Sequence, residues 1–166
     1  MLDLTEIKRA GVHDEELVAR AIFSPSFFTR DGRIGPQAFF LTPLGERREK
    51  DISVLRESLC DDIVEDVKRI PSRKDGDKVC GYAELGVRDI RALSYQKQSD
   101  DVVVEVQATP SKFLPAHTSI VVKNHNRRYT SIDNSLQPLP PALMSVMSKL
   151  AGISTYIPFQ EQGTTE

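Results

Sequence analysis

Residues 102–122 read VVVEVQATPSKFLPAHTSIVV, in which two runs of apolar and β-branched residues flank a short segment with a proline near each end. β-branched side chains favour extended backbone, whereas proline interrupts a sheet ladder. The stretch predicts one strand over Val102–Ala108, which ends at Thr109-Pro110, and a second strand over Ala116–Val122, which begins after Pro115. Because the first run has β-branched residues on both faces, we expect that strand to be central in its sheet.

Three further strands are predicted on the N-terminal side of this pair. They cover residues 17–23, 51–55 and 79–85, each an apolar run bounded by turn-forming or charged residues. Over seven residues, periodicity does not separate a strand from a short helix, and the proline that follows residues 17–23 favours the strand. Residues 24–37 are rich in Pro and Gly and predict an irregular loop or hairpin, from which Ala38–Leu41 returns as a short apolar run.

The spacing of apolar residues between 58 and 70 predicts a helix. Ser58 is a good N-cap residue with Asp61 three positions later, and Lys68 and Arg69 come last, where the helix dipole favours cations. We expect one set of side chains to be buried, namely Leu59, Ile63, Val67 and Ile70, and another to remain in water, namely Asp62, Glu65, Asp66 and Arg69.

Two more helices are predicted, one from about Gly86 and one that follows the prolines at 138, 140 and 141. The second carries an apolar stripe between residues 143 and 150 and ends at Gly152. Together these elements predict one globular domain over residues 1–166 of the α+β class. We expect a mixed, mostly antiparallel sheet of five or six strands with two or three helices packed on it.

Composition narrows the classes of partner. The chain has 22 basic and 24 acidic residues, a net charge of −2, so no strong global field favours a nucleic acid or an anionic membrane. No apolar run has the length of a signal peptide or a membrane span. We expect a cytoplasmic protein with no membrane partner, for which nucleic acid is not the expected ligand.

Cysteine usage and acidic pairs predict neither a metal site nor a bound cofactor. Cys60 and Cys80 lie twenty residues apart with no second pair, which fits neither a disulfide framework nor a zinc site. A nucleophilic cysteine needs a neighbouring base or cation, whereas Cys60 is followed by Asp61 and Asp62. The glycines form no phosphate-binding loop, so we expect no metal and no nucleotide cofactor.

His117 is the strongest candidate for chemistry, because it begins a strand directly after the turn set by Pro115. A neutral imidazole at such a position can act as a general acid or base. The alternative is a structural role in which the ring packs and forms one hydrogen bond to the backbone.

A second candidate site is the segment Lys123–Tyr129, KNHNRRY, the one basic patch in the chain. Arginine and lysine neutralise phosphate, and tyrosine can stack on a base. The residues predicted to bind nucleic acid or phosphate are Lys123, Arg127, Arg128 and Tyr129. A solvated surface loop is the alternative interpretation of the same residues.

Three motifs, ARAIFSPSFFTRDGRIGPQAFFL, DISVLRESL and LPAHTSIVV, resemble an uncharacterised group of small bacterial α+β proteins. The group has an early Arg, an Ala-Phe pair, a Ser-Val strand and a late Pro-Ala-His before an apolar strand. The resemblance covers about residues 17–122 and implies no activity. It does place Arg20, Ser53 and His117 in one candidate catalytic set.

Two functions of different classes remain open from the sequence. The first is a non-enzymatic interaction module, an accessory component of a bacterial operon whose partner is another protein. The second is a small hydrolase or transferase acting on an anionic, phosphate-containing substrate, with His117 as general acid or base and Arg20 or Arg30 as the anion-binding group.

Overall fold

An antiparallel sheet forms the centre of the protein. A computed structural model describes residues 3–40, 51–71, 75–130 and 138–160. In these ranges the sheet has eight strands. They are β1 (Leu17–Ser24), β2 (Ile52–Arg56), β3 (Lys78–Gly86), β4 (Tyr95–Lys97), β5 (Asp100–Ala108), β6 (His117–Asn124), β7 (Arg127–Arg128) and β8 (Thr155–Pro158).

The strands run in the spatial order β4-β5-β6-β2-β1-β3-β8, with β7 paired to β6. All the pairings are antiparallel. β6 pairs with β2, which brings the second strand of the 102–122 stretch beside the strand that carries Ser53. The middle of the sheet is therefore built from β6, β2 and β1, which contribute His117, Ser53 and Arg20.

Four α-helices and two 3₁₀ turns accompany the sheet in the described ranges. The helices are α1 (Leu4–Ala10), α2 (Ile63–Lys68), α3 (Val87–Arg91) and α4 (Pro141–Ile153), and the 3₁₀ turns cover Pro36–Phe39 and Glu57–Leu59. None of these helices has the length and apolarity needed to cross a membrane.

Apolar side chains cover both faces of the sheet, and alternation along β1 separates the two cores. Val18 and Ile22 belong to the larger core, which also contains the buried residues of α3 and α4. Ala19, Ala21 and Phe23 belong to a smaller core that α2 completes through the fully buried Val67. We refer to these two sides as the α4 face and the α2 face.

The α+β class, the single sheet and its antiparallel character are confirmed, but the number of strands is wrong. Within the described ranges the sheet has eight strands instead of five or six. The additional strands β4, β7 and β8 span three, two and four residues. Runs this short are too brief to show an alternation of apolar and polar residues, and pairing with a neighbouring strand determines their extended backbone conformation. Helix α1 was also not predicted.

The helix predicted over 58–70 is shorter than expected. Glu57–Leu59 is a 3₁₀ turn, and α2 begins after Asp62, whose carboxylate accepts hydrogen bonds from the backbone N–H groups of Val64 and Glu65. Asp62 is thus the N-cap instead of Ser58. The side chains expected to be buried do face the core. Val67 is fully buried, while Leu59, Ile63 and Ile70 are half-buried against the α2-face core.

Two other expectations need correction. β5 has one buried face, because Val102, Val104 and Val106 are buried while Val103 is exposed, and β5 lies next to the edge strand β4 instead of at the centre. The apolar return at 38–41 belongs to the 3₁₀ turn Pro36–Phe39. Residue 41 lies outside the described ranges.

Candidate functional site

A cavity of about 900 Å³ opens on the α2 face of the sheet. Its lining comes from β1, β2 and the start of β6, from the segment that contains α2, and from residues 113–116. The apolar residues of the lining are Ala21, Phe23, Phe27, Val54, Leu55, Leu59, Ile70, Pro71, Phe113, Leu114, Pro115 and Ala116. Cavities of this size and polarity accept small organic ligands.

Ser53 and His117 meet at the polar end of this cavity. They lie on neighbouring strands, where Leu55 is opposite His117 and Ser53 is opposite Ser119, so their side chains project from the same face. The Ser53 hydroxyl oxygen is 3.2 Å from His117 Nε2. Both side chains are half-buried, and both line the cavity.

The other ring nitrogen of His117 is fixed by Thr109. His117 Nδ1 lies 3.0 Å from the Thr109 carbonyl oxygen and 2.8 Å from the Thr109 hydroxyl. A carbonyl oxygen only accepts, so we assign the proton to Nδ1 and leave Nε2 as the acceptor for the Ser53 hydroxyl. In space, the Ser53 hydroxyl contacts the His117 ring, and the Thr109 carbonyl orients that ring from its other nitrogen. A hydroxyl next to an oriented base is the arrangement that activates a serine nucleophile.

Arg20 reaches Ser53 from the other side of the sheet. Alternation places its side chain with Val18 and Ile22 on the α4 face, opposite the His117 ring. β1 and β2 pair only at Val18↔Arg56 and Ala19↔Leu55. Beyond that point Arg20 Nη1 donates to the Ser53 carbonyl oxygen at 2.8 Å, and Nε donates to the Ala38 carbonyl oxygen at 2.9 Å. The guanidinium thus bridges the gap between the diverging strands.

The charge on Arg20 is buried without a counter-ion. The residue is 4% exposed, and burial lowers the pKa of its guanidinium to about 10, which still leaves it protonated at neutral pH. No carboxylate in the described ranges forms an ion pair with it. Its two backbone acceptors, the carbonyl oxygens of Ala38 and Ser53, stand in place of a counter-ion, since a buried cation requires hydrogen-bond partners.

Acidic side chains line the rim of the cavity near α2. Among the described lining residues they are Asp61, Asp62, Glu65 and Asp66, and in that part of the chain they outnumber the two arginines, Arg20 and Arg69. Glu65 pairs with Lys68, and Asp66 lies 3.7 Å from Arg69, in exposed contacts that water screens. The rim therefore favours cationic groups and disfavours multiply charged anions.

The cysteines show no nucleophilic character. Burial, together with the neighbouring Asp66, raises the pKa of the Cys60 thiol to about 12. Both cysteines are free thiols, and Cys80 donates to the carbonyl oxygen of Ile22 inside the sheet. Within the described ranges, no group of three His, Cys, Asp or Glu side chains is placed to hold a metal ion.

The basic segment predicted to bind phosphate forms a hairpin away from the cavity. β6 and β7 are joined by His125 and Asn126, both at positive φ, which is typical of a type I′ turn. Arg128 pairs with Asp51, Tyr129 is buried in the α4-face core, and Arg127 lies over the Tyr129 ring. Phosphate binding by Lys123 and its neighbours stays a prediction.

Sequence reasoning missed Thr109 and the acidic rim as parts of the site. Thr109 faces His117 because β5 and β6 pair with Ala108 opposite Thr118, a register that a hairpin between the two predicted strands would produce. The acidic residues were assigned to a solvated helix face, and only the position of α2 beside β1 reveals that they border a cavity. Comparison with protein-family models, curated proteins and solved structures finds no match to this chain.

Proposed function

We propose that the protein is a small hydrolase or transferase in which Ser53 is the nucleophile and His117 the general acid and base. The observation that supports this proposal is the alignment of Ser53 Oγ, His117 Nε2 and the Thr109 carbonyl inside an open cavity. Serine is a weak nucleophile on its own, and an adjacent oriented imidazole is what activates it.

In the proposed reaction, Ser53 Oγ attacks the carbonyl carbon or the phosphorus of an ester while its proton moves to His117 Nε2. The leaving oxygen takes that proton as its bond to the acyl or phosphoryl group breaks. Water, or an acceptor alcohol, then attacks the Ser53 ester and gives its proton to Nε2. The bond from the acyl or phosphoryl group to Ser53 Oγ breaks as Nε2 returns that proton to Oγ, which regenerates the serine and the neutral imidazole. Thr109 keeps the proton on Nδ1 throughout, so Nε2 remains the working nitrogen.

Arg20 is assigned to the support of Ser53, through the Ser53 carbonyl oxygen, and not to a substrate contact. Its side chain is buried and lies with Val18, Ile22 and Ala38 on the α4 face, whereas the cavity opens on the α2 face. The acidic rim makes a singly charged anionic group a better fit than a multiply charged phosphate ester.

Hydrolysis of a panel of chromogenic esters tests this function. The panel should contain carboxylic esters, phosphate monoesters and phosphate diesters, each with and without a remote charge. Turnover that falls at least about a hundredfold in both Ser53→Ala and His117→Gln, with melting temperatures close to wild type, supports the proposal. Turnover by the wild type that is unchanged in both variants contradicts it. Ser99→Ala, on the exposed turn between β4 and β5, is the matched control.

A second candidate function is protein binding, and one observation favours it. Phe113 is 93% exposed at the wall of the cavity, where a large apolar side chain in water is typical of a contact residue. Absence of turnover across the panel would favour this candidate. Phe113→Ser should then weaken cross-linking to a partner protein, while His117→Gln should not.

A further inference from the structure

The apolar surface of the cavity begins beside Ser53 and His117. Leu55 lies opposite His117 in the pairing of β2 with β6, and it is two positions after Ser53 on β2, so the three side chains project from the same face. Leu55 belongs to the α2-face core together with Ala21 and Phe23, which also line the cavity. A substrate held for attack by Ser53 therefore has an apolar surface next to its reacting atom.

Small side chains leave room for a ligand within this apolar surface. Ala21 and Ala116 are buried members of the α2-face core and line the cavity. Larger apolar side chains also line it, among them Phe23 and Phe27, whose rings are in edge-to-face contact with centroids 5.4 Å apart. Twelve of the twenty described lining residues are apolar, so a hydrocarbon chain finds favourable contacts in this volume of about 900 Å³.

Phe113 presents a large apolar side chain to water at the same cavity. It is 93% exposed, whereas the next most exposed large apolar residue in the described ranges, Val103, is 41% exposed. The segment that carries Phe113 is joined to β6, because the Leu114 carbonyl oxygen accepts from the His117 backbone N–H at 3.1 Å. An apolar ligand that fills the cavity would cover part of this ring and remove apolar surface from water.

The charges of the lining disfavour a phosphate ester. Of the two arginines among the described lining residues, Arg20 holds its guanidinium on the α4 face, and Arg69 is exposed and lies 3.7 Å from Asp66. The acidic rim repels an anion, although it does not form a site by itself. An uncharged carboxylic ester avoids this repulsion, and it needs no cation in the cavity.

From these features we infer that the substrate is an uncharged carboxylic ester with an apolar acyl chain. Its carbonyl carbon is attacked by Ser53 Oγ, and its acyl chain lies over Leu55 and Ala21 and covers Phe113. The chain belongs to the acyl part because that part stays bonded to Ser53 through both half-reactions, whereas the alcohol leaves and water enters. The inference rests on the proposed function, of which it names the substrate class.

The dependence of turnover on chain length tests the inference with wild-type protein. The probes are para-nitrophenyl esters from acetate to decanoate, each below the concentration at which it forms micelles, with para-nitrophenyl phosphate for comparison. We expect kcat/KM to rise about threefold for each added methylene until the cavity is filled, because each methylene leaves water for an apolar surface. A second series of acetate esters, in which the alcohol carries the chain, should show no such rise.

Two variants locate the acyl chain in the cavity. Ala21→Leu fills space beside Leu55 and should lower the ratio of kcat/KM for octanoate to that for acetate about tenfold. Phe113→Ala removes an exposed side chain, so folding is not at risk, and it should lower the same ratio about threefold. Ile153→Ala, at the end of α4 and outside the cavity, should leave the ratio as in wild type.

Binding of uncleavable analogues separates the substrate class from the chemistry. Linear N-methyl alkanamides are titrated into the Ser53→Ala protein by ligand-observed NMR, and their affinity should also rise about threefold for each methylene. A rise in affinity without turnover of any ester by wild type would contradict Ser53 as the nucleophile and still support an apolar occupant.

The inference is overturned if amide affinity and ester kcat/KM are both independent of acyl chain length. It is equally overturned if kcat/KM follows the length of the alcohol instead, if para-nitrophenyl phosphate is a better substrate than the octanoate ester, or if Phe113→Ala and folded Ala21→Leu both keep the wild-type ratio.

Discussion

Ser53 and His117 are joined side chain to side chain across two neighbouring strands, with Ser53 Oγ 3.2 Å from His117 Nε2. Ser53 is held at the same time through its backbone, because Arg20 Nη1 donates to its carbonyl oxygen at 2.8 Å. The hydroxyl therefore projects from a strand that is fixed on both edges, by β6 on one side and by Arg20 on the other. A nucleophile supported in this way keeps its geometry when a ligand enters.

Arg20→Met should destabilise the protein by about 2–4 kcal/mol, because the buried carbonyl oxygens of Ala38 and Ser53 would lose charge-assisted hydrogen bonds. Urea denaturation followed by circular dichroism measures the change in the free energy of unfolding. Arg30→Met, at an exposed position on the loop after β1, should change it by less than about 0.5 kcal/mol. Equal effects at the two positions would contradict the structural role of Arg20.

Leu150→Ala should cost about 2–5 kcal/mol, because Leu150 is fully buried between α4 and the sheet and its removal leaves a cavity. Ile153→Ala, at the last residue of the same helix, should cost much less, since Ile153 is 36% exposed. Thermal unfolding of the two variants compares them directly. A larger loss at 153 than at 150 would show that α4 packs through a different face.

The Glu57 and Glu84 pair should make stability fall as pH rises. Burial, with the nearby Glu84 carboxylate, raises the pKa of Glu57 to about 7 from its usual value near 4.5. A carboxyl group whose pKa is higher in the folded state stabilises the fold fully below the unfolded pKa, and this contribution is lost as pH rises towards the folded pKa. The affected window therefore extends from about pH 4.5 to about pH 7.

Glu57→Gln removes this titration and should raise the melting temperature relative to wild type more at pH 8 than at pH 5. The difference between variant and wild type isolates Glu57 from the histidines, which titrate in both proteins. Glu65→Gln, at an exposed position of α2, serves as the control. A Glu57→Gln effect that is the same at both pH values would show that Glu57 does not titrate in this range.

The longer elements of the fold could be predicted because their buried faces appear in the sequence as long runs or stripes of apolar residues. The strand predicted over 17–23 is β1, the strand predicted over 116–122 lies within one residue of the start of β6, and the apolar stripe between 143 and 150 is buried on α4. In each case burial of one or both faces requires a run of apolar residues that is long enough to read.

The short elements and the arrangement of the site could not be predicted in the same way. Thr155–Pro158 forms β8 because it pairs with the free edge of β3. No pattern of apolar and polar residues in this segment distinguishes a strand from an irregular chain end. Arg20, Ser53 and His117 were grouped by a motif resemblance, yet their contacts depend on β2 lying between β1 and β6. Strand order is a property of the whole chain, so the acidic rim does not follow from local sequence, whereas a hairpin of the two predicted strands would have placed Thr109 beside His117.

The most direct test of the central claim is covalent labelling of Ser53 by a fluorophosphonate, since such reagents react with activated serines and require no knowledge of the substrate. Intact mass and peptide mapping should show one adduct per chain, on Ser53. The adduct should be lost in Ser53→Ala and strongly reduced in His117→Gln. The free energy of unfolding of His117→Gln should differ from wild type only by the effect of one hydrogen bond, roughly 1 kcal/mol. Ser99→Ala should label like wild type. An unlabelled wild-type protein, or an adduct on Ser53 that forms equally fast in His117→Gln, would contradict the assignment of Ser53 and His117 as nucleophile and base.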